Sequence, residues 1–122
     1  MINGVLELLE ESLELLVEKN TAVLKFDGEV IFDNSNQLKE EAKERLKGKT
    51  EVDKLIIDLS KVPYLDSSGV GVLLSLFKFM RSREGSLAIA EPNAKIRRVF
   101  DVTKMTEIIP VYMSLEEAIN QN

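Results

Sequence analysis

Apolar residues recur along this chain with two periods, and the switches between them mark out its elements. Leu13, Leu15 and Val17 alternate with Glu14, Leu16 and Glu18; Ala22, Leu24 and Phe26 alternate with Val23 and Lys25. With Lys19-Asn20 as the turn, this predicts a strand–turn–strand hairpin from about 12 to 27. Val5, Leu6, Leu9, Leu13 and Leu16 also lie near one face at helical spacing, so residues 1–11 fit either a short helix or an extra strand.

After Gly28 and the apolar triplet Val30-Ile31-Phe32, the pattern turns helical. Leu38, Ala42 and Leu46 recur every four residues, which predicts a helix over roughly 36–47. Asp33, Asn34 and Ser35 are its candidate N-caps and Gly48 its stop. Leu55-Ile56-Ile57-Asp58-Leu59 is a nearly continuous apolar run, as expected of a central strand covered on both faces. Val70, Leu73, Leu74, Phe77 and Met80 then share one helical face from about 69 to 82. Gly85 ends that turn, and Leu87 to Ala90 form another buried strand. Pro92-Asn93 opens a third helix with Ile96, Val99 and Phe100 inward, and Ile108–Tyr112 is a last strand. Ser114-Leu115-Glu116-Glu117 reads as a capping box opening a short terminal helix.

The resulting order, ββαβαβαβα, is that of an α/β protein with a mostly parallel sheet. The leading hairpin adds antiparallel strands, so the sheet is mixed. No linker rich in Pro, Gly or Ser divides the 122 residues, and one domain over 1–122 is expected, with 1–11 as an N-terminal extension. Leu55, Ile57, Leu74, Phe77, Leu87, Ile89, Val99 and Ile109 are the expected core.

Composition narrows the chemistry. The chain has no cysteine and no histidine, which removes disulfides, thiolate and imidazole metal sites, cysteine nucleophiles and Ser-His-Asp triads. The net charge of −5 argues against a nucleic-acid surface. No apolar run approaches the roughly 20 residues of a membrane span, and MINGVLELLEE has no basic segment before its apolar residues. A cytoplasmic protein is expected.

Three constellations remain. Gly69-Val70-Gly71, with Glu91 about 20 residues on, outlines a dinucleotide fingerprint, but Leu74 holds the third glycine position and the loop after Leu59 is too long for the tight phosphate turn. Asp66-Ser67-Ser68-Gly69 begins a helix. Its plain role is capping, yet two hydroxyls stand where one cap would do. A serine there is expected to be exposed, and the helix dipole would tolerate a phosphate on it. The acidic pairs Glu10-Glu11, Glu40-Glu41 and Glu116-Glu117 read as solvated faces. Lys95, Arg97, Arg98 and Lys104 do so as well, with a docking face for an acidic protein as the alternative.

Residues 56–74, IIDLSKVPYLDSSGVGVLL, closely resemble the signature of STAS domains, specifically the bacterial anti-sigma factor antagonists. Arg97 to Thr103 is similar to the R-x-F-D-x-T/S stretch of that family, and Gly28-Glu29 to the start of its G-E-I/L-D motif. The likeness spans roughly 12–119. It implies a mixed sheet with helices packed mainly on one side. This chain departs from the pattern at Ile31, where the family has aspartate (Asp33 lies two residues on), and at Lys104, where it usually has glycine.

The resemblance implies a non-enzymatic regulator without cofactor or metal. Ser67 would be the phosphoacceptor, with Asp66, Ser68 and Gly69 supporting and capping it. Unphosphorylated, the protein would bind a partner that is both anti-sigma factor and serine kinase, releasing a sigma factor. Phosphate would break that binding and a serine phosphatase would restore it. Gly28, Glu29, Asp33, Tyr64 and Leu65 are the partner-binding candidates. The free protein would be a monomer, with neither nucleic acid nor membrane as partner. The alternative is a STAS scaffold module that binds a nucleotide, a lipid or another assembly without a phosphoswitch.

Overall fold

The computed structural model describes residues 5–10 and 13–121. Its strands are β1 (Val5–Glu10), β2 (Leu13–Glu18), β3 (Thr21–Asp27), β4 (Lys54–Lys61), β5 (Ser86–Ala90) and β6 (Val111–Tyr112). Its helices are α1 (Phe32–Lys47), α2 (Ser67–Ser82), α3 (Ala94–Thr103) and α4 (Leu115–Asn120), with a 3₁₀ turn at Met105–Glu107. Residues 5–10 are thus the extra strand rather than a helix; the remainder of the 1–11 expectation lies outside the described residues.

The six strands lie in sequence order, β1 to β6. β1–β2 and β2–β3 are antiparallel, and β3–β4, β4–β5 and β5–β6 are parallel. This order largely determines where the helices go. Parallel crossovers are right-handed, and when every crossover steps the same way along the sheet, all their helices fall on one face. The main core forms there: Leu24, Leu55, Ile57 and Ile89 of the sheet meet Leu38 of α1, Leu73 and Leu76 of α2, and Ile96 and Phe100 of α3. A smaller cluster of Val23, Ile56, Ala90 and Ala118 sits on the opposite face under α4. Lys54 Nζ donates to the carbonyls of Ile119 and Gln121 and ties the end of α4 to the central strand.

Several boundaries differ from those expected. α1 starts at Phe32, with Ile31 as N-cap, so Asp33, Asn34 and Ser35 lie inside its first turn. No side chain of Ile31 can cap; instead Asn34 Oδ1 reaches back to accept from the Ile31 N–H at 2.9 Å. The last strand shrinks from Ile108–Tyr112 to two residues, because the 3₁₀ turn takes the chain around Met105 first and the Ile108 N–H bonds to the Met105 carbonyl. In α2 the buried stripe is Gly69, Val70, Val72, Leu73, Leu76 and Met80. Leu74 and Phe77, expected inside, are half-buried against the core, as is Val99 of α3. The stripe turns toward α1, which runs along the Ser68, Val72 and Ser75 side of α2.

Candidate functional site

Asp66 builds the site. It is the N-cap of α2, with extended backbone, and its Oδ1 accepts from the Gly69 N–H at 3.0 Å. Its Oδ2 accepts from the Phe32 N–H at 3.1 Å, across 34 residues of chain. One carboxylate therefore holds two orphan helix donors, one at the start of α2 and one at the start of α1. Partial desolvation pushes its pKa up. Backbone N–H groups of Gly69, Phe32, Ser68 and Asp66 itself pull it down, and the net result lies below the ordinary aspartate value.

Ser67 follows as the first residue of α2 and is exposed. Its hydroxyl has no part in the cap, because Asp66 fills that role. Ser68 is half-buried, and the expectation that it serves as a structural cap is corrected: the carboxylate of Asp66, one atom longer in reach than a serine hydroxyl and with two acceptors, takes the donors instead. Gly69 is required by packing. A Cβ there would lie 2.4 Å from the Val30 carbonyl oxygen and 2.7 Å from Leu65 Cβ.

That close approach brings the 28–32 segment beside the helix. Gly28 adopts φ 103°, open to glycine, and its N–H donates to the Lys61 carbonyl. Val30 pairs with Leu65 in a single parallel bridge, and its N–H donates to the Tyr64 carbonyl. Glu29 and Asp33 are exposed on this rim. Asn93, N-cap of α3, accepts from the Ile96 N–H at 2.8 Å and donates to the Pro63 carbonyl at 3.1 Å, which fixes the loop before Ser67 from the other side.

Of the apolar residues in that loop, Pro63 and Tyr64 reach the surface, and Lys95 Nζ lies 5.9 Å from the centre of the Tyr64 ring. Leu65, a candidate contact by sequence, is fully buried: it is wedged between Val30 and Gly69 and belongs to the core. Phe32 is instead the exposed apolar side chain beside this loop. It is 78% exposed, the largest exposure among the described large hydrophobics. It lines a groove of 290 Å³ between α1 and α2 with Asn36, Lys39, Ser68, Gly71 and Ser75. The sequence pattern conceals this, since Val30-Ile31-Phe32 reads as one apolar run.

Ser67, Asp66, Gly28, Glu29, Asp33 and Tyr64 thus converge at the C-terminal edge of the parallel strands, where open α/β sheets carry their sites. An exposed hydroxyl at a helix N-terminus can take a phosphate whose charge the helix dipole partly offsets, against the repulsion of the adjacent Asp66 carboxylate.

Comparison with known proteins agrees with this fold. The STAS domain family matches residues 12–118. An anti-sigma F factor antagonist of Paenibacillus polymyxa is 21% identical over 89% of this chain and 92% of its own length. A crystal structure of a Thermotoga maritima protein assigned as an anti-sigma factor antagonist superposes with a TM-score of 0.82 at 25% identity, covering 89% of this chain and 92% of that one. A sulfate transporter of Arabidopsis thaliana is 28% identical over 91% of this chain, which corresponds to 19% of the transporter.

Proposed function

The chain belongs to the STAS domain family, and from that premise we propose that it is an anti-sigma factor antagonist switched by phosphorylation of Ser67. In this reading it is a non-enzymatic, cytoplasmic binding module. It docks on an anti-sigma factor that is also a serine kinase, so that a sigma factor is released. A phosphate on Ser67 ends the binding, and a serine phosphatase resets it.

The observation that carries the reading is the division of labour at the start of α2. Asp66 alone caps the helix, which leaves the neighbouring Ser67 hydroxyl exposed and without a structural task. The likeness to the Paenibacillus antagonist over nearly its whole length supports it.

The switch follows from electrostatics. A phosphate adds about −1.5 to −2 charges at pH 7. In the free protein the positive end of the α2 dipole offsets part of that charge, and the fold survives. In the complex the phosphate sits at the centre of an interface formed by Phe32, Tyr64 and the first turn of α2. An unpaired charge there costs on the order of 2–5 kcal/mol, or roughly 30- to 4,000-fold in affinity.

The test is a pair of variants. Ser67→Asp should fold normally and lose the partner; Ser67→Ala should keep it and resist phosphorylation. Capture from native lysate identifies the partner, calorimetric titration compares the variants, and phosphopeptide mapping places the phosphate. Phosphate on Ser68 with Ser67 unmodified would refute the site assignment. Equal affinities of the two variants would favour the second reading, a scaffold module within a larger assembly. The match to one fifth of a plant transporter is what keeps that reading in view.

A further inference from the structure

Charge is spread unevenly over this chain. Residues 94–104 carry Lys95, Arg97, Arg98 and Lys104 against Asp101 alone, a net of +3, which leaves −8 on the remainder of a chain totalling −5. All five side chains are exposed, and none forms an ion pair among the described residues. Arg97, Arg98 and Asp101 line a cleft of 480 Å³ between α3 and β6, together with Phe100 and Val111.

Two exposed apolar side chains stand on the elements that form this cleft. Val102, one turn along the helix from Arg98, is 77% exposed. Met113, just past the end of β6, is 55% exposed, and its Sδ lies 3.5 Å from Arg97 Nη1. The wall is an open sheet edge. β6 is the last strand, and its ladder with β5 uses the Pro110 and Tyr112 carbonyls, which accept from the Ile89 and Glu91 N–H groups. In a parallel ladder alternate residues face opposite sides, so the N–H and C=O of Val111 point away from β5.

We propose that the α3–β6 cleft docks an extended acidic segment of a partner protein. The segment would pair with Val111 at the edge of β6, lay carboxylates against Arg97 and Arg98, and set aliphatic side chains on Val102 and Met113. Each part of the cleft selects for this occupant. Guanidinium groups hold carboxylates bidentately. An open edge accepts a peptide backbone, which is strand addition. The exposed side chains of Val102 and Met113 give the interface a desolvated component that a purely electrostatic ligand would not use. A nucleic acid has no peptide backbone to pair with the open edge of β6 and no aliphatic side chains to set on Val102 and Met113. Lys95 and Lys104 extend the positive field along α3 and steer the encounter.

The cleft shares no lining residue with the Ser67 site, and its test requires neither kinase nor sigma factor. The probe is a fluorescein-labelled peptide of about ten residues alternating Glu and Val, titrated into the full chain at about 50 mM and about 300 mM salt. Three controls accompany it: the same peptide interrupted by Pro, a Lys-Val peptide, and a thymidine oligonucleotide of equal length. The Glu-Val peptide should bind roughly tenfold more tightly than the Pro and Lys versions, lose several-fold in affinity at the higher salt, and shift the Val111 amide resonance. Arg97→Glu/Arg98→Glu should weaken it about tenfold or more while leaving the circular dichroism unchanged. Arg98→Gln, a milder change at an exposed position, should give an intermediate loss. No binding at low salt, equal binding of the Pro-interrupted peptide, tighter binding of the oligonucleotide, or an unmoved Val111 resonance would each overturn the proposal.

Discussion

Asp66 and Lys104 show how single residues here carry unequal burdens. The Asp66 carboxylate closes the first turns of two helices with one side chain. Its pKa is lowered in the folded state, so its contribution is complete above the unfolded value, about 3.9, and disappears as pH falls through the folded value. Wild type should therefore exceed Asp66→Asn in thermal midpoint at neutral pH, and the two should converge as pH drops below about 4. Thermal melts across that range would show it; a constant gap would mean the stability comes from elsewhere. Lys104 stands where the sequence resemblance implies glycine, and its backbone is one that glycine adopts at no steric cost. It is the C-cap of α3 and adopts φ 60°, a left-handed conformation that costs a residue with a Cβ about 1 kcal/mol. Lys104→Gly should raise the midpoint by a few degrees.

At the scale of an element, α2 separates two kinds of position. Leu76 is fully buried, and truncation to Ala should cost about 2–5 kcal/mol in chemical denaturation. Phe77, on the other shoulder of the buried stripe, is half-buried beneath Arg81, and its truncation should cost less. Its two glycines should respond in opposite directions. Gly69→Ala would force a Cβ against the Val30 backbone and must move the 28–32 segment. Gly71 has open space around it, so Gly71→Ala should stabilise the helix by roughly 1 kcal/mol. A stability gain there with weakened partner binding would place Gly71 in the docking groove.

For the molecule as a whole, the sequential strand order commits three helices to one face and leaves α4 to cover the other. Lys54 holds that last helix through its C-terminal carbonyls. Lys54→Met should raise hydrogen exchange in 115–120 while leaving the Ser67 turn protected as in wild type. A change at both ends would mean that the two faces of the sheet are coupled. Among the described residues, no helix is long and apolar enough to cross a membrane.

The local pattern was sufficient for the hairpin of β2 and β3, the buried run of β4, the caps at Asn93 and Ser114 and the order of elements after residue 12. Each depends on residues near one another in the chain, where period and cap chemistry act directly. The helix start at Asp66-Ser67 was legible for the same reason, since cap and first turn are adjacent in the chain. Ile31 as the true cap of α1, the rotation of the α2 stripe, the burial of Leu65 and the exposure of Phe32 were not. All four depend on how the 28–32 segment meets the start of α2, across more than thirty residues of chain. A Leu and a Phe have the same claim on the interior by hydrophobicity alone. Leu65 is buried because it lies beneath Val30 and Gly69, and the lack of a Cβ at Gly69 lets the two segments approach closely. Phe32 remains outside because its N–H is held by Asp66 at the rim, and the ring has only solvent and the groove to face.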